Sequence, residues 1–178
     1  MVKPNLVMTG NHYLLALGSN RRHVHFGAPR AILCHAIQSL QTAGCRVIAA
    51  SDIITSRPVG PSQRCYANGA VIVETPRDPI AMLTCAKAIE RKFGRRRGRR
   101  WGPRVLDIDV ILWSGGVFAA DDPALVIPHP LFRTRPFVTS PAAQIAAGWR
   151  DPVQGLTMRQ LDRRRCRPKP LDRAKPPL

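Results

Sequence analysis

Four segments of the chain carry the hydrophobic pattern of strands. Residues 13–17, 46–56, 66–74 and 105–112 contain apolar or β-branched runs, or alternate between apolar and polar positions, and turn-forming residues follow most of them. Such runs and a period of two predict β-strands. Residues 126–127, directly before a proline, predict a further short edge segment.

Apolar residues spaced three to four apart predict helices between these strands. The first helix begins with Pro29 in its first turn and ends at Gly44, and the second begins with Asp78 as N-cap and ends at Gly94. Proline fits the first helical turn, aspartate can cap the first N–H groups, and glycine tolerates the turn that ends a helix.

The order of these elements indicates the fold class. Strand, helix, strand, strand, helix, strand is the order of the split unit of ferredoxin-like α+β folds, in which helices flank a central antiparallel sheet. Residues 137–147 predict a third helix, with Pro141 near its start. We therefore expect an α+β chain of this kind.

Length and composition place the chain among ordinary globular proteins. It has 178 residues, of which 44% are hydrophobic and 22% are charged, which excludes wholesale disorder and collagen. No run approaches the roughly 18 apolar residues of a membrane helix, and no signal peptide is recognisable, so we expect a cytoplasmic location. The five cysteines are widely spaced without a Cys-x-x-Cys pair, which argues against a disulfide framework or a zinc site.

The net charge of +17 is concentrated in two segments. Residues 87–104 hold nine basic residues and one acid, and residues 159–178 hold eight basic residues and two acids. Because residues 163–178 are rich in Arg, Lys and Pro and poor in apolar residues, we expect them to be a disordered basic tail after a domain at 12–162. The charge alone fits either a compact polyanion such as a nucleotide or a nucleic acid.

Two carboxylates share one face of the strand predicted at 105–112. Asp107 and Asp109 are two residues apart, so their Cα atoms lie about 6.6 Å apart and both side chains project from the same face. Carboxylates suit magnesium, which takes its other ligands from water and phosphates. Taken alone, the pair also fits an exposed strand face with two ordinary acids.

The arginines directly upstream of these two acids favour the nucleotide interpretation. They alternate with glycines over residues 94–104, and a cationic, flexible segment can close on phosphates. The same composition suits an arginine-rich RNA-binding segment, and Trp101 could stack on a base in either case. Neither a P-loop nor a protein-kinase catalytic motif is present.

These residues stand in a pattern that resembles the 6-hydroxymethyl-7,8-dihydropterin pyrophosphokinase family over roughly residues 12–162. The similar motifs are Leu-Ala-Leu-Gly-Ser-Asn at 15–20, Tyr-Ala-Asn-Gly-Ala at 66–70 and Arg-Trp-Gly-Pro-Arg-Val-Leu-Asp-Ile-Asp at 100–109, followed by Pro-His-Pro at 128–130 and Arg-Pro-Phe at 135–137. The resemblance implies a ferredoxin-like three-layer sandwich that transfers diphosphate from ATP to a pterin hydroxymethyl group in folate biosynthesis, releasing AMP.

The resemblance also implies roles for individual residues. Asp107 and Asp109 would bind two magnesium ions and act in catalysis with arginines of the upstream segment, namely Arg95, Arg97 and Arg104. The ATP side would be formed by Glu90, Arg100, Trp101, Val110, His129 and Arg135. The pterin side would be formed by Ser56, Val59, Tyr66, Asn68 and Phe137. The expected partners are small molecules, with no specific nucleic acid and no membrane, and the expected state is a monomer.

Three functional interpretations remain to be compared: this enzyme, an RNA-binding ferredoxin-like protein that uses the arginine-rich segment and tail, and an inactive relative. An RNA-binding sheet should present aromatic residues on its central strands, whereas residues 105–112 present two carboxylates that repel phosphates unless a cation intervenes. An inactive relative should have lost an acid or a pterin contact, and this sequence retains both acids, Tyr66, Asn68 and Phe137. The enzyme is therefore favoured.

Overall fold

An antiparallel five-stranded sheet forms the centre of the computed structural model, which describes residues 10–57, 65–94 and 105–166. Its strands are β1 (Asn11–Ser19), β2 (Arg46–Ala50), β3 (Ile54–Ser56), β4 (Tyr66–Thr75) and β5 (Asp107–Trp113). The strand order is β2-β4-β1-β5, and β3 also pairs with β4. This is the arrangement expected of a split ferredoxin-like unit, so the predicted α+β class is confirmed.

Helices cover both faces of the sheet and complete a three-layer sandwich. They are α1 (Pro29–Thr42), α2 (Pro79–Lys92), α3 (Pro136–Ile145) and α4 (Met158–Cys166). One apolar core lies between the sheet and helices α1 and α2, and a second lies between the sheet and helices α3 and α4. Within the described ranges, no helix has both the length and the apolar character needed to cross a membrane.

The ends of α1 and α2 follow the predicted capping chemistry. Proline occupies the first turn of both helices, and the Asp78 carboxylate accepts a hydrogen bond from the Ala81 N–H at 2.7 Å. Gly44 and Gly94 lie just beyond the two C-termini at φ of +82° and +79°, which is the backbone region that favours glycine. Local sequence chemistry therefore determines both boundaries.

The single strand predicted at 46–56 is in fact two strands. Ser51 interrupts the run because its side chain replaces a main-chain partner: the Ala70 N–H donates to Ser51 Oγ, while the Ser51 N–H donates to the Ala70 carbonyl, both at 2.9 Å. The ladder resumes at Ile54 as β3. Serine hydroxyls compete with backbone groups in this way, and composition alone does not reveal where.

The alternation predicted through Leu112 in β5 is also interrupted. Leu15 pairs with Val110 but Leu14 pairs with Leu112, so one extra residue, Ile111, is accommodated between them. Such an irregularity changes the face of the residues that follow it. Leu112 consequently joins Ile111 in the core below α3 and α4, whereas Val110 belongs to the other core.

The region after β5 contains more structure than the sequence predicted. The expected edge segment at 126–127 is part of a separate hairpin of β6 (Phe118–Asp121) and β7 (Ala124–Ile127). Helix α3 has Pro136 in its first turn, so the prediction that Pro141 lies near the start is wrong, and Pro141 is inside the helix. A short 3-10 turn at Phe132–Thr134 precedes it.

Helix α4 corrects the predicted start of the tail. It continues through residues 163–166, which we expected to be disordered, and residues 167–178 lie outside the described part of the chain. Met158 and Leu161 are buried, and the Asp162 carboxylate accepts hydrogen bonds from Thr139 at 3.2 Å and Ser140 at 2.7 Å. These two buried residues and the two hydroxyl bonds hold α4 against the rest of the domain, although the helix is rich in basic residues.

A buried ion pair joins the 3-10 turn to the loop before α4. The Asp151 carboxylate is fully buried and accepts two hydrogen bonds from the Arg133 guanidinium, at 2.5 and 2.7 Å. Burial by itself would raise the pKa of Asp151, but the Arg133 hydrogen bonds and the Val153 N–H hold this pKa below its ordinary value. The folded state therefore favours the ionised carboxylate.

Removing this carboxylate should destabilise the fold strongly. We expect Asp151→Ala to lower the free energy of unfolding by about 3–5 kcal/mol, because the mostly buried Arg133 guanidinium loses its two hydrogen bonds to this carboxylate. Arg46→Ala removes the exposed pair with Glu74 and should cost less than about 1 kcal/mol. Urea unfolding at neutral pH measures both, and similar small losses in the two variants would contradict the assignment.

The Arg133–Asp151 pair should make the free energy of unfolding depend on pH under acidic conditions. Because the folded-state pKa of Asp151 is lowered, its contribution is complete above the unfolded-state value of about 3.9 and is lost as the pH falls through the folded-state value. Urea unfolding of the wild type over this range should show the decline, and Asp151→Ala should show less of it. Identical pH profiles would count against a lowered pKa.

Candidate active site

The end of β1 and the beginnings of β4 and β5 lie next to each other at one end of the sheet. In β1, Gly18 pairs with Asn68 of β4 on one side and with Asp107 of β5 on the other, while Ala16 pairs with Asp109. Residues in register, and alternate residues along a strand, share a face of the sheet. Asn68 and the two acids therefore lie on the face covered by α3 and α4, where they border the apolar core that includes Ala16.

Gly18 keeps the space between Asn68 and Asp107 open. A Cβ atom at this position would lie 3.6 Å from Asn68 Oδ1, in ordinary contact. Any larger side chain would extend over the strip between the amide and the carboxylate. Its φ is not positive, so backbone conformation does not require a glycine here, and the missing side chain is what sets this position apart.

The two predicted metal ligands lie close enough to repel each other. Burial and then the negative charge of Asp107 raise the pKa of Asp109, while nearby cationic groups oppose this. A divalent cation between the carboxylates would remove the repulsion, and carboxylate oxygens are the ligands that magnesium prefers. No cluster of three or more His, Cys, Asp or Glu is found in the described part of the chain, so water and phosphate oxygens would complete the coordination.

His129 and Arg135 border the acid pair. The His129 N–H donates to the Ile111 carbonyl at 3.1 Å, and the Leu131 N–H donates to His129 Nδ1 at 3.2 Å. Burial lowers the pKa of His129, which favours the neutral ring, and because Nδ1 accepts the Leu131 N–H, the proton of that ring lies on Nε2. Arg135 Nη1 lies 3.8 Å from Asp109 Oδ2. A ring N–H donor and a guanidinium therefore stand beside the acids, as an anionic ligand would need.

A second group of polar and aromatic side chains lies on the same face. Ser56 pairs with Tyr66 across β3 and β4, and Asn68 Nδ2 donates a hydrogen bond to Ser56 Oγ at 2.8 Å. Phe137 lies in the first turn of α3, with the Arg135 guanidinium 5.9 Å from its ring centre. An amide, a hydroxyl and two aromatic rings are the groups that recognise a planar, hydrogen-bonding heterocycle.

The side chains of two residues predicted on the ATP side pack on the opposite face of the sheet. The Glu90 side chain is fully buried, and its Oε1 accepts hydrogen bonds from the Ile108 N–H and from Lys87 Nζ, both at 2.8 Å. Val110 is 3% exposed and packs in the core below α1 and α2. Glu90 thus holds the β5 backbone between the two acids. Sequence analysis missed Lys87, whose charge lowers the pKa of Asp109, although its spacing of three from Glu90 is a recognisable signal.

Sequence analysis also missed the side chains that hold the link between β2 and β3. Arg30 Nη1 donates to the Ile53 carbonyl at 2.7 Å, and the Asp52 N–H donates to Gln144 Oε1 at 2.9 Å. These bonds join residues far apart in sequence, so no local pattern could have revealed them. The remaining predicted site residues lie outside the described ranges: Val59, Arg95, Arg97, Arg100, Trp101 and Arg104.

Comparison with known sequences gives consistent matches. Residues 14–147 match the family model of 7,8-dihydro-6-hydroxymethylpterin-pyrophosphokinase. A 2-amino-4-hydroxy-6-hydroxymethyldihydropteridine pyrophosphokinase of Synechocystis is 44% identical over 119 residues, covering 67% of this chain and 60% of that protein. The Methylorubrum extorquens protein of the same name is 41% identical over 134 residues, covering 74% and 80%, and that of Pseudomonas aeruginosa is 36% identical over 140 residues, covering 78% and 82%.

Solved structures share the fold. The Plasmodium falciparum HPPK-DHPS structure with SDX-DHP superposes with a TM-score of 0.65 at 13% identity, covering 92% of this chain and 46% of that one. An HPPK-DHPS structure in complex with substrates also gives a TM-score of 0.65 at 13% identity, covering 88% and 43%. The matched part thus spans less than half of each of these larger chains.

The position of Glu90 generates a stability prediction. Glu90→Ala should lower the free energy of unfolding by about 1–3 kcal/mol, because the buried Ile108 N–H loses its acceptor. Glu90→Gln keeps an oxygen in place and should stay closer to the wild type than Glu90→Ala. Urea unfolding compares the two, and wild-type stability in the alanine variant would show that Glu90 does not support β5.

Proposed function

The chain belongs to the 7,8-dihydro-6-hydroxymethylpterin-pyrophosphokinase family, and we propose that it transfers the terminal diphosphate of ATP to the hydroxymethyl group of 6-hydroxymethyl-7,8-dihydropterin in folate biosynthesis. The observation that carries this proposal is the row of Asn68, Gly18 and Asp107 across three strands. Asn68, whose amide suits a heterocycle, and Asp107, whose carboxylate suits a metal-bound phosphate, lie on either side of Gly18.

The acid pair is the metal-binding part of this proposal. Asp107 and Asp109 would hold magnesium, two ions as the family resemblance implies, and the mutual repulsion of the carboxylates supports this assignment. When bound, magnesium neutralises phosphate charge and orients the reacting oxygens. The protein supplies two carboxylates on a strand whose backbone Glu90 holds from the opposite face.

The nucleotide side is supported by the groups next to the acids. Arg135 can neutralise phosphate oxygens, and neutral His129 offers its Nε2 proton as a hydrogen-bond donor. Arg95, Arg97, Arg100, Trp101 and Arg104 stay part of the proposal as residues of the segment preceding β5. In this proposal Glu90 contributes by accepting the Ile108 N–H and so holding the β5 backbone in place.

The pterin side comprises Ser56, Tyr66, Asn68 and Phe137, with Val59 retained from the family resemblance. Asn68 would bond to the polar edge of the pterin, and the two aromatic side chains would contact its ring. The reaction forms a bond between the hydroxymethyl oxygen and the β-phosphorus of ATP and breaks the bond from this phosphorus to the oxygen that bridges the α-phosphorus. AMP leaves with that oxygen, and the hydroxyl proton is released.

The alternative of an RNA-binding protein receives no support from the comparisons, since the relatives named above are pyrophosphokinases. The acid pair also disfavours it, because the carboxylates face the side of the sheet on which a ligand would lie. We propose that the protein is a cytoplasmic monomer that binds small molecules, with no specific nucleic acid and no membrane as partner.

One assay tests the proposed activity directly. Mg-ATP is incubated with and without 6-hydroxymethyl-7,8-dihydropterin, and AMP and the pterin diphosphate are measured in the same samples. We expect AMP and the pterin diphosphate to form in equal amounts, and only when both the pterin and magnesium are present. If neither product forms while the folded protein binds RNA with a steep salt dependence, the enzyme proposal is wrong and the RNA-binding interpretation replaces it.

The metal-binding role of Asp107 predicts a large loss of turnover. Asp107→Ala should reduce kcat/KM at least about a hundredfold, because several kcal/mol of charge stabilisation by the metal would be lost. Asp121→Ala, an exposed acid of β6, is the matched control and should keep wild-type turnover. Urea unfolding checks that both variants are folded, and an active, folded Asp107→Ala enzyme would exclude the metal assignment.

The end of α4 predicts where the chain can be shortened. Removal of residues 167–178 should leave kcat/KM unchanged, because every proposed site residue and the buried contacts of α4 precede this segment. Removal of residues 158–178 should destabilise the fold, because it takes Met158 and Leu161 out of the core. A large loss of turnover on the shorter deletion would assign the basic tail a role in the reaction.

A further inference from the structure

The Asn68 amide is held in one orientation. Its Nδ2 donates to Ser56 Oγ at 2.8 Å on the β3 side, and its Oδ1 lies on the β1 side, 3.6 Å from where a Cβ of Gly18 would be. Asn68 is only 4% exposed, so water has little access to replace the serine. The nitrogen therefore points toward β3 and the oxygen toward the acid-bearing side of the site.

This orientation determines what the amide can offer to a ligand. An asparagine side chain has two N–H donors and one oxygen acceptor, and a half-turn about its last bond exchanges their places. The bond to Ser56 occupies one N–H and opposes that half-turn. One acceptor and one donor remain in a set order, with the acceptor nearer to Gly18.

The segment that leads into Ser56 is held in place by contacts from both helical layers. The link before β3 is fixed by Arg30 of α1, which donates to the Ile53 carbonyl, and by Gln144 of α3, which accepts from the Asp52 N–H. Directly after it, Ile54 pairs with Asn68 and Ser56 pairs with Tyr66. The main chain that carries Ser56 is thus held in place, so its hydroxyl is a suitable acceptor to orient the Asn68 amide.

We propose that the Ser56 hydroxyl is a positioning group that fixes the Asn68 amide and thereby sets the order of donor and acceptor that the pocket presents to a heterocyclic substrate. The proposal rests on the proposed function for the identity of that substrate. Ser56 acts through Asn68 in this role, separately from any main-chain contact that the family resemblance implies. A heterocycle with the matching order of donor and acceptor gains two hydrogen bonds, and one with the reverse order leaves two polar groups unpaired.

Steady-state kinetics of two substitutions test the effect on the substrate. Ser56→Ala should raise the KM for 6-hydroxymethyl-7,8-dihydropterin about threefold to tenfold, the equivalent of one hydrogen bond, with kcat and the KM for ATP nearly unchanged. Ser56→Thr keeps the hydroxyl and should restore the wild-type KM. Thr55→Ala, an exposed neighbour on the same strand, is the control for disturbance of β3.

The result that would overturn the proposal is equally specific. If folded Ser56→Ala has the wild-type pterin KM, or if Ser56→Thr is impaired as much as Ser56→Ala, the hydroxyl does not position the amide. If Thr55→Ala raises the pterin KM as much as Ser56→Ala does, the effect belongs to the strand and not to the hydroxyl.

A second measurement tests the orientation without any turnover. NMR of the ¹⁵N-labelled protein follows the two Asn68 Nδ2 protons, assigned by their loss in Asn68→Asp. One of them should exchange slowly with water in the wild type and quickly in Ser56→Ala. Equal, fast exchange of both protons in the wild type would overturn the proposal. A slow proton in a wild type that turns over no pterin would instead reject the proposed function and leave the orientation of Asn68 established.

Discussion

The position of β1 between β4 and β5 is the constraint on which the site depends. Both pairings are antiparallel, so the end of β1 meets the beginnings of its two neighbours, and Gly18 is in register with Asn68 and Asp107 at once. The spacing between strands then sets the distance between the amide and the carboxylate. A shift of one residue in either register would send one of these side chains to the opposite core.

Strand β5 combines two neighbouring acids on one face with an apolar opposite face. One face places Asp107 and Asp109 side by side, where burial and like charge raise the pKa of Asp109. The opposite face is apolar and packs on α1 and α2, while Glu90 accepts the Ile108 N–H from below. Apolar burial and this charge-assisted bond oppose the repulsion between the paired acids, as the proposed cation site requires.

The helices of this fold contribute more than core packing. Helix α3 buries Val138 and Ala142 against the sheet and also carries Phe137 and Gln144, which lie at the site and at the link before β3. Helix α1 supplies Arg30 to the same link from the other layer. The relative position of Ser56, Asn68 and the aromatic side chains is therefore set by both layers together.

The sequence by itself determined the elements whose causes are local. Capping at Asp78, the glycines after α1 and α2, the strand alternation and the same-face placement of Asp107 and Asp109 depend on near neighbours, and the motifs at 66–70 and 100–109 pointed to the family. Only the tertiary structure decided the break at Ser51, the irregularity at Ile111, the extension of α4 through Cys166, and the roles of Glu90, Arg30 and Gln144. Each of these depends on a hydrogen bond, a strand register or a packing contact between segments distant in sequence, which no local pattern encodes.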